Sequence, residues 1–201
     1  GAGRGAQSLI AVFVGTGVGS GAVLGGRLWR GASNAAGEIG HTQVVPDGLP
    51  CRCGNRGCLE VYASGSGFVR RLKAALARGT PTKLAEWTGG EPSRLTAAQV
   101  ARAAREGDSF ATLLWSDALR FLGLALTNAV TFLNPERLVL GGGVVETVPD
   151  LVQSVAAQIQ ANATLMAKRV VRVTTAELAE WAGAVGAADL VAEENTSADP
   201  S

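Results

Sequence analysis

The sequence has little net charge and no long apolar run, and each absence narrows the possible functions. Its 18 Lys and Arg residues nearly balance 17 Asp and Glu residues, which leaves a formal net charge of +1. No strong positive field is therefore available to attract a phosphate backbone, which disfavours a dedicated nucleic-acid binder. No stretch approaches the roughly 20 apolar residues of a membrane span, and no secretory leader opens the chain. We expect a cytoplasmic protein without a membrane segment.

Cysteine is also scarce. Three cysteines occur in 201 residues, and all of them lie between Cys51 and Cys58. An odd and tightly clustered set cannot form a self-contained disulfide framework, so a metal site or a reduced cluster is the better interpretation. The hydrophobic content of 47% is sufficient for a sizeable core at this length, which predicts one globular domain, with or without an appendage.

The first 45 residues have the pattern of a strand-rich segment. An apolar, β-branched run at 8–14 is followed by a glycine-rich turn and a second apolar run ending at Leu24, which predicts a β-hairpin. We expect a third strand over 27–30, an ordered loop over 31–40 and a further strand over 41–45.

The remainder alternates helical and strand patterns, which together with the first segment predicts an α/β fold with a mixed sheet. Asp108 is a candidate N-cap for a long central helix, which the pair Asn134-Pro135 should end. The expected apolar face of that helix comprises Phe110, Leu113, Leu114, Phe121, Leu122, Ala125 and Phe132. The predicted elements are helices over 68–77, 96–105, 108–133, 149–165 and 182–194, strands over 137–140 and 170–174, and a disordered tail over 195–201.

The strongest signal for a binding site is the combination of His41, Cys51, Cys53 and Cys58. One imidazole and three thiolates satisfy a tetrahedral Zn²⁺ ion, and a closed shell of four protein ligands leaves no position for a metal-bound water. We therefore expect a structural zinc ion. Chance clustering in a loop is the alternative, but His41 is the one histidine in the chain, which favours the metal.

Two acidic residues flank these ligands. Glu38 precedes His41 by three residues, and Glu60 follows Cys58 by two. Metal ligation would bring the two carboxylates toward one region, where they can accept hydrogen bonds from the hydroxyl groups of a sugar. The alternative is that each is a solvated surface charge, which is the commoner environment of a glutamate.

Four segments carry a resemblance to a known family. They are Gly-Thr-Gly-Val-Gly-Ser-Gly at 15–21, Gly-Glu-Ile-Gly-His at 37–41, Cys-x-Cys-Gly-x-x-Gly-Cys-x-Glu at 51–60 and Leu-Gly-Gly-Gly at 140–143. In order and spacing the chain resembles the ROK family, which joins bacterial sugar kinases with sugar-responsive repressors. The resemblance implies an actin-like, ribonuclease-H-like fold of two lobes that close over ATP and a sugar. Residues 1–194 then correspond to the larger lobe, with the helix over 182–194 packing toward the smaller one.

The resemblance also implies site residues. The nucleotide-binding residues would be Gly15, Thr16, Gly17, Gly141, Gly142 and Gly143. The sugar-binding residues would be Glu38, His41, Glu60 and Asn34. One ring nitrogen of His41 would bind zinc while the other faces the sugar. Independently of the resemblance, glycine lets the backbone approach a phosphate closely, although a plain hairpin turn is the alternative for 15–21.

The chain departs from the family pattern in one respect. Family kinases carry an Asp-x-Gly-Gly loop and an Asn-Asp pair with the catalytic base before the segment equivalent to 15–21, and neither motif occurs here. We expect the base in an upstream segment and the 201 residues alone to be inactive. The expected reaction of the parent protein is the transfer of the γ-phosphoryl of ATP, with Mg²⁺, to the 6-hydroxyl of a hexose such as glucose. The resemblance further implies a homodimer.

Two other functions stay open at this point. A sugar-sensing repressor would share this lobe and carry a DNA-binding helix-turn-helix outside the chain, and only in that case is nucleic acid a partner. A zinc-stapled interaction module would explain the cysteines but not the glycine clusters. The upstream sequence distinguishes the first two, because an Asp-x-Gly-Gly motif indicates a kinase and a helix-turn-helix indicates a repressor.

Overall fold

The computed structural model describes residues 1–197. The strands are Leu9–Val14 (β1), Val18–Leu24 (β2), Arg27–Leu28 (β3), Arg137–Gly141 (β4) and Arg172–Thr175 (β5). The α-helices are Leu59–Ala63 (α1), Gly65–Leu76 (α2), Lys83–Trp87 (α3), Ala97–Arg105 (α4), Ser109–Leu133 (α5), Gly143–Thr147 (α6), Asp150–Asn162 (α7), Leu165–Val170 (α8) and Ala182–Ser197 (α9). Short 3-10 helices lie at Ile39–His41, Pro92–Arg94 and Ala179–Trp181.

The strands of residues 1–197 form one five-stranded sheet in the order β3-β2-β1-β4-β5. The hairpin strands β1 and β2 pair antiparallel, whereas β1 pairs with β4, and β4 with β5, in parallel. Because β3 is antiparallel to β2, β2 alone opposes the direction of the other strands. The mixed α/β sheet predicted from the sequence is confirmed.

The hydrophobic core joins this sheet to the long helix α5. Ile10, Val12 and Val14 of β1 are buried and alternate with half-buried neighbours, as the period of two in a strand requires. Helix α5 contributes to the same core and contacts α1, α4 and α7. Its buried residues are Ala111, Leu114, Ala118, Leu122, Gly123, Ala125, Leu126, Thr127 and Val130.

Helix α5 is also apolar enough to cross a membrane if length and composition alone are considered, and it is the one such helix among residues 1–197. Half of its most apolar window is buried inside the molecule. Packing in the core therefore accounts for the buried half of this window.

The predicted helix ends are confirmed at three positions. Thr96 caps α4 in a reciprocal capping box with Gln99, and the Asp108 carboxylate caps α5 by accepting from the Ala111 amide at 2.7 Å. The same carboxylate accepts from the Lys83 amide at 2.6 Å, so it joins the N-termini of α3 and α5. Asn134 ends α5 in the left-handed conformation, with φ of 47°, before Pro135.

The predicted strand over 41–45 is wrong. The segment instead leaves the 3-10 helix Ile39–His41 and pairs with the cysteine loop through an isolated bridge between Gln43 and Cys58. The Val44 amide donates to the Gly57 carbonyl at 2.8 Å, and the Leu59 amide donates to the Thr42 carbonyl at 3.0 Å. The backbone donors that the sequence suggested for the sheet are therefore used within the loop.

Two apolar residues expected on the core face of α5 are exposed. Phe132 is 87% exposed and Leu113 is 51% exposed. The period of the helix explains Leu113, which lies about 100° around the axis from buried Leu114. Phe132 points in the same direction as Leu114, but it is the penultimate residue of α5 and lies beyond the core. The number of apolar residues in this 25-residue helix therefore overestimates the number that are buried.

The remaining differences concern element ends. Ala163 is extended, with ψ of 161°, so the helix predicted over 149–165 is divided into α7 and α8. Strand β3 has two residues instead of four, and β5 begins at Arg172. Helix α9 continues to Ser197, into the segment predicted as a tail, and 198–201 lie outside the described residues.

Candidate functional site

The four predicted metal ligands lie together. The ligand atoms of His41, Cys51, Cys53 and Cys58 are all within 4.8 Å of one another. Cys53 Sγ is 3.7 Å from Cys58 Sγ, and Cys51 Sγ is 3.7 Å from Nδ1 of His41. A tetrahedron with bonds of about 2.3 Å to sulfur has S···S edges of about 3.8 Å. The residues therefore fit a tetrahedral metal ion, and three thiolates with one imidazole are a donor set that zinc prefers.

The loop that carries the cysteines is held mainly by its own backbone. The Cys51 amide donates to the Asn55 carbonyl at 2.8 Å, and the Gly57 amide donates to the Leu49 carbonyl at 2.8 Å. Gly57 has φ of 74°, and a Cβ there would overlap the carbonyl oxygen of Val45. Glycine is thus required immediately before Cys58, because any larger residue would separate the loop from the 42–45 segment.

The thiols have different electrostatic environments. Burial, together with a smaller effect of the neighbouring Cys53 and Cys51 sulfurs, raises the pKa of the Cys58 thiol to about 12. A hydrogen bond from the Asn55 backbone lowers the pKa of Cys53, with a smaller opposing effect of burial. Holding all three sulfurs as thiolates in this space requires a compensating cation, since like charges repel at these distances.

Glu60 is fixed against the first glycine segment. Its Oε2 accepts a hydrogen bond from the Val18 amide at 3.0 Å, and a Cβ at Gly17 would come within 2.6 Å of the same oxygen. Helix α1 begins directly after the predicted ligand Cys58, and Glu60 is the second residue of this helix. The helix start therefore sets the position of the carboxylate, and Oε1 keeps its lone pairs for a further donor.

Glu38 is held near the same part of β2. Gly40 packs on the Val18 carbonyl, and Gly37 packs on the Ser20 carbonyl. The Ser20 hydroxyl in turn donates a hydrogen bond to the Gly37 carbonyl. The Glu38 side chain is 64% exposed, and its Oε2 lies 4.0 Å from Nε2 of His41. Nδ1 of His41 therefore faces the cysteines, and Nε2 faces Glu38.

A cleft of about 750 Å³ brings the two glycine segments together. Gly15 and Thr16 line one side of it and Gly143 lines another. Helix α2 is docked on the first segment, because the Gly65 amide donates to the Gly15 carbonyl at 2.8 Å and the Ser66 amide donates to the Thr16 carbonyl at 3.1 Å. The Thr16 side chain is exposed and accessible to a ligand in the cleft.

The three glycines at 141–143 have different roles in packing. A Cβ at Gly141 would come within 2.7 Å of the Phe13 ring, and one at Gly142 within 2.7 Å of the Val14 carbonyl oxygen. These two residues allow the end of β4 to lie close to β1. Gly143 has open space at its Cβ position and lines the cleft. Of the three predicted residues, Gly143 is therefore the one with direct access to a ligand there.

Asn34 is separate from these contacts. It is exposed and has a left-handed backbone, with φ of 58°, and the contacts described for residues 1–197 do not connect it with Glu38 or Glu60. Sequence reasoning also missed three residues that line the cleft, which are Arg52, Arg70 and Lys73. Arg70 and Lys73 are spaced by three on α2, and this helical spacing is the one signal that the sequence contained for them.

The chain is similar to known sugar kinases and to a transcriptional regulator. A glucokinase from Halalkalibacterium halodurans is 35% identical over 198 residues, which make up 98% of this chain and 60% of that protein. The solved structure of a ROK family glucokinase from Streptomyces griseus in complex with glucose and AMPPNP aligns with a TM-score of 0.72 and 33% identity, over 94% of this chain and 62% of that one. The regulator NagC of Escherichia coli is 31% identical over 191 residues, or 95% of this chain and 45% of that protein.

The fold is thus one shared with actin-like sugar kinases. The model of the ROK family matches residues 1–194, and the chain belongs to that family. It spans about 60% of the length of the glucokinase from Halalkalibacterium halodurans.

Proposed function

We propose that the chain is the larger lobe of an ATP-dependent sugar kinase that phosphorylates the 6-hydroxyl of a hexose, with glucose as the first candidate. The observation that carries the proposal is the cleft shared by Gly15, Thr16 and Gly143, which suits a nucleotide. The likeness to a glucokinase solved with glucose and AMPPNP supports it. Phosphoryl transfer relies on positioning and charge neutralisation, and a glycine-lined cleft supplies the first of these.

The sugar would be bound by the carboxylates at the start of β2. Glu60 has one oxygen on the Val18 amide and offers the other to a hydroxyl group. Glu38 Oε2 lies 4.0 Å from Nε2 of His41, which gives an acceptor and a ring nitrogen for further hydroxyls. A set of fixed acceptors suits the fixed pattern of hydroxyls on a pyranose ring. The role of Asn34 in this set stays a prediction.

The metal ion would be structural. His41, Cys51, Cys53 and Cys58 would hold Zn²⁺ in a closed shell, which stabilises a loop that is otherwise held by few apolar contacts. Its effect on the sugar would be indirect, because His41 and Cys58 are the anchors of Glu38 and Glu60. Mg²⁺ would be bound mainly by the phosphates of ATP, since no carboxylate lines the described cleft.

We further propose that the 201 residues do not turn over on their own. The motifs that carry the base in family kinases do not occur in the sequence, and the base orients the attacking hydroxyl. The measurement is a coupled assay for hexose 6-phosphate with the purified chain, glucose and Mg·ATP. Turnover at a rate typical of kinases, about 1 to 100 per second, would overturn this assignment.

Binding tests the proposal more directly. Calorimetric titration with glucose should give saturable binding that Glu60→Gln weakens about tenfold or more, because a hydrogen bond to a carboxylate is lost. Glu86→Gln is the matched control, since Glu86 is exposed and lies on α3 away from β2. AMPPNP should bind both variants equally. Equal glucose affinity in the two variants would contradict the sugar site.

A sugar-sensing repressor is the second candidate, because NagC is 31% identical over 95% of the chain. A repressor needs the sugar site but not the nucleotide site. If the chain binds glucose and fails to bind AMPPNP or ATP, the repressor is the better assignment. Nucleic acid would then be a partner of a segment outside the 201 residues.

Two other expectations remain predictions. The homodimer implied by the family resemblance is tested by size-exclusion chromatography with light scattering. The measured mass should be twice the chain mass of 20.5 kDa. A cytoplasmic location is favoured by the glucokinase relatives and is tested by fractionation of cells that express the protein.

A further inference from the structure

The cleft contains a group of basic side chains that the glycine segments do not account for. Arg52 of the cysteine loop and Arg70 and Lys73 of α2 line the same cavity as Gly15 and Thr16. None of the residues that line this cavity is acidic. The cleft therefore has an excess of positive charge although the chain as a whole has a formal net charge of +1.

These three cations have no carboxylate partner among the side chains that the structure describes. The neighbouring Arg71 differs, because its Nη2 lies 2.5 Å from the Asp117 carboxylate. Its guanidinium carbon also lies over the Tyr62 ring. Several other basic residues of the described chain, such as Lys83 and Arg102, bind Glu106. Charged groups in a cavity without counter-charges attract an anionic ligand more strongly than paired ones.

The start of helix α2, which also lines the cleft with Gly65 and Ser66, cannot supply this positive charge. Its first backbone amides already have acceptors within the protein. The Gly65 and Ser66 amides donate to the carbonyls of the first glycine segment, and the Gly67 amide donates to the Ser64 hydroxyl at 3.0 Å. An anion beside the start of α2 therefore meets the charged side chains of Arg70 and Lys73 and not free amides of this helix.

A second, small cavity shows where the cations lie relative to the sugar residues. Arg52 and Arg70 line it together with Glu60, and both also line the main cleft. They are thus located between the glycine-lined cleft and the carboxylate assigned to the sugar. The terminal phosphate of a nucleotide has to lie between these two regions if it is to reach a sugar hydroxyl.

We propose that Arg52, Arg70 and Lys73 bind the phosphate chain of the nucleotide, with Arg52 and Arg70 nearest its terminal phosphate. The inference rests on the proposed function for the identity of the ligand. The cleft also has apolar lining residues, Val69, Leu95 and Val144, and these accommodate the base. Arginine suits the role because its planar guanidinium can bind two phosphate oxygens at once.

The test separates the phosphate chain from the nucleoside. Calorimetric titrations with sodium tripolyphosphate, adenosine and ATP are made on the chain and on Arg52→Gln, Arg70→Gln and Lys73→Gln. Arg78→Gln is the matched control, because Arg78 is exposed just beyond α2 and does not line the cleft, while the change in net charge is the same. Glucose binding and thermal melting of each variant report on the fold.

Each of the three substitutions should weaken tripolyphosphate and ATP binding about threefold to tenfold, as expected for a charge-assisted contact in a partly solvated site. Adenosine affinity should change by less than twofold, and the control should match the unmodified chain. The inference is overturned if none of the three substitutions alters tripolyphosphate affinity, or if the unmodified chain does not bind tripolyphosphate. If tripolyphosphate binds as expected but neither adenosine nor glucose binds, the cation cluster is supported and the kinase proposal fails.

Discussion

Gly17 and the carboxylate of Glu60 are in direct contact. A Cβ added at residue 17 would come within 2.6 Å of Glu60 Oε2, the oxygen that accepts from the Val18 amide. The glycine therefore makes room for the acidic side chain, in addition to any role it has near a phosphate. One segment that resembled a nucleotide loop in the sequence thus also shapes the neighbouring carboxylate site.

The first prediction concerns this contact. Gly17→Ala should push the Glu60 carboxylate away from the Val18 amide and weaken glucose binding about tenfold, because a fixed hydrogen-bond acceptor is lost. Adenosine binding should be unaffected. Gly19→Ala is the control in the same segment, since a Cβ at Gly19 has no atom within 4 Å. Equal loss of glucose affinity in both variants would show that the segment acts through its flexibility rather than through Glu60.

The second prediction concerns the metal. Elemental analysis of the chain purified under reducing conditions should give close to one zinc ion per molecule. Cys58→Ser should lose the metal and lower the thermal midpoint, because the site stabilises the loop only when all ligands bind. Arg56→Gln is the control, as Arg56 is exposed in the same loop. A stoichiometric metal content in Cys58→Ser, or none in the unmodified chain, would contradict the tetrahedral site.

Features with a local cause could be predicted from the sequence. The side chains of Thr96 and Asp108 cap the helices that they precede, and Asn134 ends α5 through its left-handed backbone, as expected. The proximity of His41 to the three cysteines could be predicted because these residue types are the usual ligands of zinc, and their side chains do lie together. The hairpin of β1 and β2 followed from β-branched runs around glycine. In each of these cases the residue type and its neighbours determine the geometry.

Features that depend on distant partners could not be predicted. The 41–45 segment has strand-like residues, yet its hydrogen bonds go to the cysteine loop, which is distant in sequence. Phe132 fits an apolar face but lies beyond the reach of the core. Arg70 and Lys73 are ordinary helix residues in sequence, and only the docking of α2 on Gly15 makes them part of the cleft.

The third prediction concerns Asp108, which is 8% exposed. Burial opposes its ionisation, but hydrogen bonds from the Ala111 and Lys83 amides and the Thr82 hydroxyl outweigh it and lower the pKa of the carboxyl. Asp108→Asn keeps one acceptor for Ala111 but presents an NH₂ group to the other two donors. The free energy of unfolding near pH 7 should fall by about 1 to 3 kcal/mol, as measured by urea denaturation.

The pH dependence gives this prediction a second measurement. Since the pKa of Asp108 is lower in the folded chain, its stabilisation is present above the unfolded value of about 3.9 and is lost as the pH falls through the folded value. The stability difference between the unmodified chain and Asp108→Asn should therefore narrow below about pH 4. Asp150→Asn is the control at the exposed start of α7, with a change within about 0.5 kcal/mol. A difference that stays constant down to pH 2 would be inconsistent with an ionised Asp108.

The fourth prediction links the metal to the cleft through Arg52, which lies between the ligands Cys51 and Cys53 and lines the cavity. If the metal fixes this loop, its removal should release the Arg52 side chain from the cleft. Chelation should then weaken tripolyphosphate binding about threefold in the unmodified chain and in Arg78→Gln, by the loss of one exposed charge contact. It should have no further effect in Arg52→Gln, because the contact is already absent and the two changes do not add. A chelation effect of equal size in Arg52→Gln would show that the metal acts on the cleft by another route, such as Ser66 and the start of α2.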